Sequence, residues 1–591
     1  MCYKAITHAS TLGFRKTRYA QLTRRGFGIG LILMSNVLTF GSGLVSADKN
    51  SSDRRWSDSV RAGRSVVRVS HGMVASSQPL ASEVGLQILK EGGNAVDAAI
   101  AMAAMLNVTE PMMTGVGGDA FMQVYWAKTG ELKGLNASGR CPQALTPDYF
   151  AKRGIKKMPD DGMASITVPG AFDGWCTLLD KYGTMKLAYL LEPAIDTAEN
   201  GFPVMERAAE DWVFEIGKLK RTPAAEANYL VDGRSPRAGE IFKEKNLART
   251  LRTLAAGGRD AFYKGEIGRA IADYCKANGG FITMEDLAEQ HCEWVEPIST
   301  NYRGYTVYEC PPNGQGLTAL IALNILEGFD LAAMNSHPDQ YYHTLIEATR
   351  LAFADRNRYI ADPKFAKVPV KELLSKEYAT SRRALIDPDK TITSPNPGEI
   401  SGGGDTTYFT VVDKDRNVVS FINSLYSAFG SGIVAGDTGI CLQNRGAGFS
   451  LEPHHPNQLE PGKRPFHTII PAMVFKDGKP LMGFGVMGGD IQPQGHVQVL
   501  CNLIDLGMNL QQAISAPRFR CLSGTDVLLE DDMTDTVIDS LVRKGHVRAS
   551  AGLGVPLRVV MGGGQAIMID WKNGGLLGAS DPRKDGMAMG Y

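Results

Sequence analysis

The segment Gly402-Gly403-Gly404-Asp405-Thr406-Thr407-Tyr408-Phe409-Thr410-Val411-Val412-Asp413 joins a run of glycines directly to an alternating strand. Tyr408, Thr410 and Val412 point one way, and Phe409 and Val411 the other, the period of a β-strand. A chain cut between Asp405 and Thr406 leaves Thr406 as a new N-terminus on a rigid strand. Such a threonine is a compact catalyst, because its α-amine lies within reach of its own hydroxyl. A free α-amine has a pKa of roughly 7.7–8, so near neutral pH it serves as the base that activates the hydroxyl. The plainer alternative is a glycine-rich hairpin leading into a core strand. The remainder of the chain decides between the two.

With 591 residues and 43% hydrophobic content, the chain is long enough for a large core. Residues 1–47 hold six of the 63 Lys and Arg and none of the 63 Asp and Glu. The rest therefore carries 57 basic and 63 acidic residues, a net charge of −6. That balance argues against nucleic acid as a partner, since phosphate binding needs excess positive charge.

The basic N-terminus has an export pattern. Thr23-Arg24-Arg25-Gly26-Phe27 precedes an apolar stretch from Ile29 to Leu44, then Val45-Ser46-Ala47. A basic region, an apolar region and a small-residue cleavage site occur in that order in a signal peptide. The paired arginines fit the twin-arginine type, which places the mature protein in the periplasm or otherwise outside the cytoplasm. Ser35, Asn36, Thr39, Gly41, Ser42 and Gly43 make the stretch too polar for a stable membrane span. Of nine cysteines, eight lie beyond Cys2 with no C-x-x-C spacing. They read as mostly buried thiols, with one or two disulfides left open.

Coarse periodicity places strands and helices in alternation. Gly72 to Ser77 reads as a short strand. Ala81 to Leu106 has helical spacing, broken at Gly92-Gly93-Asn94, with a second helix from Ala95. Met122 to Tyr125 and Leu132 to Asn136 read as paired strands around Lys128-Thr129-Gly130. Trp175 to Lys276 is rich in helix signals, Tyr302 to Tyr308 is strand-like, and Tyr341 to Tyr359 is an amphipathic helix. Thr391 to Gly404 is a loop, and strands dominate Thr406 to Leu442 and Ala472 to Val486. The fold class is a layered α+β sheet protein.

Several motifs carry no chemistry on this reading. Thr114-Gly115-Val116-Gly117-Gly118-Asp119 lacks dinucleotide spacing and precedes a strand. His454-His455 has no ligand-spaced partner. No G-x-S-x-G elbow is present. Gly488-Gly489 ends an apolar strand, where it marks a bulge or a tight turn, or presents two N–H groups to an oxyanion.

In sum the chain resembles the γ-glutamyltransferases (glutathione hydrolases), self-processing N-terminal-nucleophile hydrolases. The likeness runs from about Gly72 to Tyr591. It rests on Pro79-Leu80-Ala81-Ser82, Gly92-Gly93-Asn94-Ala95-Val96-Asp97-Ala98-Ala99, Asn107-Val108-Thr109-Glu110-Pro111 and Pro311-Pro312-Asn313-Gly314-Gln315-Gly316. Asp405-Thr406-Thr407, Phe429-Gly430-Ser431-Gly432, Lys463-Arg464-Pro465, Gly488-Gly489 and Gly578-Ala579-Ser580-Asp581-Pro582-Arg583 complete the set. The resemblance implies a four-layer αββα sandwich. It implies cleavage between Asp405 and Thr406 into an associated large chain, 48–405, and small chain, 406–591. It also implies Thr406 as nucleophile, Gly488 and Gly489 as the oxyanion hole, and Ser424 where the family has a supporting threonine. No cofactor or metal is implied, and the partner is a small-molecule amide.

The sequence departs from the family pattern around the acyl group. Where the family has an arginine and paired serines for the α-carboxylate, this chain has Ser138, with Arg140 two residues on, and His467-Thr468. The amine-side positions are Tyr426, Arg445 and Gly448. An ammonium beside Arg445 is repelled, whereas a carboxylate is held bidentately. A γ-glutamyl compound such as glutathione is the expectation from the family. Its rival is a glutaryl amide or another dicarboxylic monoamide, read by Arg445 and Arg140. The tract Phe449 to Lys463 is shorter than in relatives with a lid, which suggests an open cleft. A reading from another class is an unprocessed periplasmic binding protein.

Overall fold

The computed structural model describes residues 63–394, 405–552 and 555–591. The expected export signal and most of the glycine-rich loop before Asp405 lie outside the described residues.

Two seven-stranded sheets, antiparallel throughout, organise the fold. The first runs, edge to edge, through Met587–Gly590, Met73–Ser76, Asp405–Val412, Val418–Tyr426, Asp119–Trp126, Glu131–Ala137 and Glu293–Val295. The second runs through Val67–Val69, Gly575–Ser580, Gly563–Asp570, Lys479–Met487, Ala472–Lys476, Tyr305–Glu309 and Ile298–Tyr302.

Alternation along Asp405–Val412 assigns its two faces to different cores. Phe409 and Val411 join an apolar cluster with Ile100, Ala104 and Leu106 of the helix Ala95–Thr109. Val412 packs with Met473, Ile567 and Leu576 of the second sheet, and Tyr408 with Ile469 and Met487. The second sheet's remaining face buries Val474, Phe484 and Val486 with the helices Gly316–Leu326, Pro338–Tyr359 and Ile491–Ile504. From Thr406 to Val412 the strand is therefore buried on both faces.

Local chemistry sets the helix starts. Gln78 accepts from the Ala81 N–H with Pro79 in the first turn, and Asn94 forms a capping box with Asp97 after the Gly92-Gly93 break. The two helices approach closely at Gly85, where a Cβ would lie 2.4 Å from Met102 Sδ.

The structure corrects two readings of elements. Tyr302 to Tyr308 is a hairpin, Ile298–Tyr302 and Tyr305–Glu309, turning at Arg303 and Gly304, both with positive φ (52° and 82°). That is the twist of a two-residue primed turn, hidden because an arginine fills a place where asparagine or aspartate is usual. The helix Pro338–Tyr359 is not amphipathic in use: every residue from Tyr341 to Arg356 is buried. Its polar side chains pair internally, as Arg350 does with Glu347 at 2.7 Å. All eight described cysteines are free thiols.

Candidate active site

The strand Asp405–Val412 runs unbroken across the Asp405–Thr406 bond, and its register with Val418–Tyr426 slips at that point. Asp405 pairs with Tyr426 and Thr407 with Asn423, so Ser424 and Leu425 together face Thr406. One extra residue on one strand is a β-bulge, a device that re-aims side chains. Here it brings Ser424 Oγ to 3.1 Å from Thr406 Oγ1. Gly118 makes room for it, since a Cβ there would sit 2.4 Å from the Ser424 carbonyl oxygen. The glycine-rich run from Gly115 thus serves close backbone packing.

Around this pair the polar groups form one connected set. The Tyr426 N–H and Arg445 Nη2 donate to Ser424 Oγ at 2.8 and 3.0 Å, and Arg445 Nη1 donates to Thr468 Oγ1 at 2.7 Å. Gln492 Nε2 lies 3.4 Å from Thr406 Oγ1. Thr406, Ser424, Arg445 and Thr468 are all at most 1% exposed. The guanidinium lies 4.2 Å over the Tyr426 ring, and its Nε meets no acceptor among the described residues. Burial lowers the Arg445 pKa to about 10 and raises that of Tyr426 to about 12. Among the described residues no carboxylate bonds Arg445, though Asp119 and Asp490 lie near enough to act on its charge, an unusual state for a buried cation.

Gly488 and Gly489 both have positive φ, 121° and 65°, ending the strand Lys479–Met487 in a turn that glycine alone adopts without strain. Gln315 Nε2 holds this turn by donating to the Gly489 and Thr468 carbonyls at 3.1 and 2.7 Å. Among the described residues, neither glycine N–H meets an acceptor. Their two donors stand next to the start of the helix Ile491–Ile504, whose Gln492 reaches Thr406.

Two sequence-predicted binding residues are placed elsewhere. His467 is fully buried against Phe121, with Nε2 donating to Asp119 Oδ2 at 3.1 Å and Nδ1 accepting from the Ile469 N–H at 3.4 Å. Burial lowers its pKa to about 4, so it is a neutral structural tie. Asp119 is itself consumed, with Oδ1 accepting from the Gly139 N–H and Gln443 Nε2. Arg140 is ion-paired with Glu293 at 2.7 Å and donates to the Gly462 carbonyl, which commits its charge to a protein carboxylate.

A cavity of about 1260 Å³ opens beside the site, walled by Tyr426, Gly448, Phe466 and Asp490 with part of the tract from Phe449. The residues that sequence reasoning missed are Gln492, Gln315, Arg356 and Asp490. Only Gln315 lay within a noticed motif. Among the described residues His454 and His455 gather no further ligand. His343, Glu347 and His546 do converge, within 4.8 Å. However, His343 Nδ1 already bonds His546 Nε2 at 2.8 Å, and Arg350 donates to Glu347, so a second cation there faces a guanidinium.

Residues 81–591 match the family model described as Gamma-glutamyltranspeptidase. The chain belongs to the gamma-glutamyltranspeptidase family. A glutathione hydrolase-like YwrD proenzyme of Bacillus subtilis is 43% identical over 88% of this chain and 98% of its own length. The acylase ACY 1 proenzyme of a Pseudomonas species is 37% identical over 88% and 93%. Among solved structures, a cephalosporin acylase from Bacillus halodurans superposes with a TM-score of 0.83 at 43% identity, covering 90% and 98%. The relatives thus include proenzymes named as a glutathione hydrolase-like protein and as an acylase, and this chain is an enzyme of the same family. Among the described residues no helix is long and apolar enough to cross a membrane.

Proposed function

We propose that this protein is an exported, self-cleaving amide hydrolase whose acyl group carries a terminal carboxylate, a glutaryl-type acylase. The observation that carries the reading is Arg445: a fully buried guanidinium joined to the Thr406–Ser424 pair, with hydroxyl partners and, among the described residues, an unmet Nε and no bonded carboxylate. A charge kept in that state is matched when the substrate supplies the anion.

In the precursor, Thr406 Oγ1 adds to the Asp405 carbonyl carbon. The Asp405–Thr406 C–N bond breaks as the acyl group shifts to oxygen, and water hydrolyses the ester. The Thr406 α-amine is then free and removes the hydroxyl proton as Oγ1 adds to the substrate amide. The Gly488 and Gly489 N–H groups receive the oxyanion, a role worth roughly 3–4 kcal/mol per donor in comparable hydrolases. The amine departs with the proton, and water or another amine takes the acyl group. The stacking of helices, two sheets and helices fits the four-layer αββα sandwich of N-terminal-nucleophile hydrolases, with large and small chains remaining together. The Thr23–Phe27 pattern supports export of the mature enzyme to the periplasm or beyond.

A γ-glutamyl substrate is the second reading, favoured by the glutathione hydrolase-like relative and by the same carboxylate on its acyl group. What weighs against it is its α-ammonium, since Arg445 stands at an amine-side position and Gly448 offers no acid. The test sets glutaryl p-nitroanilide beside γ-glutamyl p-nitroanilide for wild type and Thr406→Ala. The expected result is two chains in the wild type, the smaller starting at Thr406, faster glutaryl cleavage, and an uncut, inactive variant. Faster γ-glutamyl cleavage moves the assignment to the second reading, and an uncut wild type removes the nucleophile.

A further inference from the structure

Asp490 directly follows the Gly488-Gly489 turn and caps the helix Ile491–Ile504, yet its side chain takes no part in capping. An aspartate at that position ordinarily accepts an N–H from the first turn. Here Oδ1 is held by Arg356 Nη1 at 2.6 Å instead, and among the described residues no donor meets Oδ2. Asp490 is only 5% exposed, and what surface it has lies on the wall of the 1260 Å³ cavity with Arg356 and Phe466.

Arg356 is fixed independently of this contact. Its Nη1 also donates to Gln315 Oε1 at 2.9 Å, its Nε donates to Asn357 Oδ1 at 2.9 Å, and its guanidinium lies 4.3 Å over the Phe353 ring. The same Gln315 braces the Gly489 carbonyl. The carboxylate is thus locked to the frame that carries the two glycine N–H groups. Arg356 offsets its charge, so it does not oppose a negative oxygen forming next door.

We infer that Asp490 is the docking point for the amine partner of the reaction, holding an ammonium N–H through Oδ2 at the cavity side of the acyl group. This rests on the acyl-threonine chemistry proposed above. Arg445 is bonded to Ser424 and Thr468 and does not line the cavity, although Asp490 is near enough to act on its charge; a guanidinium so placed suits the acyl carboxylate. Asp490 does line the cavity, and on this proposal the leaving amine departs and the incoming one arrives through it. Simple amines reach neutral solution as ammonium ions, so a fixed carboxylate there gathers them against a large excess of water. In the transfer step the docked ammonium first gives one proton to solvent. The nitrogen then adds to the acyl carbon, the bond from that carbon to Thr406 Oγ1 breaks, and the second amine proton passes through the α-amine to Oγ1.

The test compares purified, self-processed wild type with Asp490→Asn, which retains an oxygen for Arg356 and loses the charge. Glutaryl p-nitroanilide or γ-glutamyl p-nitroanilide, whichever the wild type cleaves, supplies the acyl group. Glycylglycine serves as a cationic acceptor and hydroxylamine as a neutral one. The readout is the ratio of acyl transferred to acyl hydrolysed in the same reaction. The expected result is a fall of about tenfold in that ratio for glycylglycine, as loss of one charge-assisted hydrogen bond implies, and a much smaller fall for hydroxylamine. An unchanged ratio, including the case where transfer and hydrolysis drop together, overturns the inference. A variant that loses γ-glutamyl but not glutaryl cleavage puts Asp490 on the acyl side and also overturns it. A wild type that releases nitroaniline from neither donor fails earlier, sinking the proposed function and this inference with it.

Discussion

Residues at this site divide by what their second partner is. Ser424 Oγ accepts from Arg445 and from a backbone N–H while touching Thr406, so its place is set by groups that do not react. His467 is the opposite case: expected from the sequence to bind substrate, it has both ring nitrogens spent on protein. Charging it requires Nδ1 to give up its lone pair to a proton and lose the Ile469 N–H. This gives a pH prediction whose sign follows from the depressed pKa. The unfolded chain binds a proton at His467 below roughly pH 6.5, whereas the folded protein does so only below about 4. Its neutral form therefore contributes stability that is present above the unfolded value and is lost as pH falls toward the folded one. A His467→Gln variant keeps a donor for Asp119 and does not titrate. Its stability deficit relative to wild type should shrink by about 2 kcal/mol between pH 7.5 and pH 5, read from urea midpoints of the two proteins. A constant deficit means His467 titrates alike in the folded and unfolded chains, and a deficit that grows toward pH 5 means it is charged in the native state.

At the scale of elements, the bulge opposite Thr406 is the feature on which the site depends, and Gly118 permits it. Gly118→Ala forces a Cβ to within 2.4 Å of the Ser424 carbonyl oxygen, a backbone atom with no freedom to swing aside. Such overpacking costs about 1–3 kcal/mol, and here the strain falls on the strand that positions Ser424. Slower chain cleavage, followed by gel electrophoresis after expression, should accompany a lowered denaturation midpoint. Gly217→Ala is the control: nothing lies within 4 Å of its Cβ, so both readouts should stay at wild-type values. Equal behaviour of the two variants removes the bulge from the maturation step. Much of this was legible beforehand. The period of two after Asp405, the Gly92-Gly93-Asn94 break and the Lys128–Gly130 turn are local patterns, and each was found where expected. The hairpin at Arg303 was not, because its left-handed arginine carries no turn signal. Thr406, Ser424 and the glycine pair were legible as residue types. The union of Arg445 with Ser424 and Thr468, and the roles of Gln492, Gln315 and Asp490, were not, because contacts such as Gln492–Thr406 span 86 residues.

At the scale of the molecule, the position of Thr406 in the chain has a mechanical consequence. If the chain parts between Asp405 and Thr406, each sheet is left holding strands of both products. In the first sheet Met73–Ser76, from the large chain, lies between Met587–Gly590 and Asp405–Val412, while Val418–Tyr426 pairs with Asp119–Trp126. In the second sheet Val67–Val69 and Tyr305–Glu309, both large-chain strands, flank a block of four small-chain strands. Buried ties cross the same divide, such as Trp175 Nε1 to Asn423 Oδ1 at 3.0 Å and Lys584 to Asp211 at 2.7 Å. Separating the products therefore dissolves five strand-to-strand ladders and exposes both inner cores at once. The cleaved protein should elute from a sizing column as one species containing both chains at equal stoichiometry. It should also unfold in a single cooperative transition in which the chains separate and lose structure together. A small chain produced alone from Thr406 should not fold, since its first strand, 406–412, would lack the Met73–Ser76 neighbour and the helix Ala95–Thr109. Recovery of a stable, monomeric small chain with native-like circular dichroism would show that the sheets are not shared in the way the strand order requires.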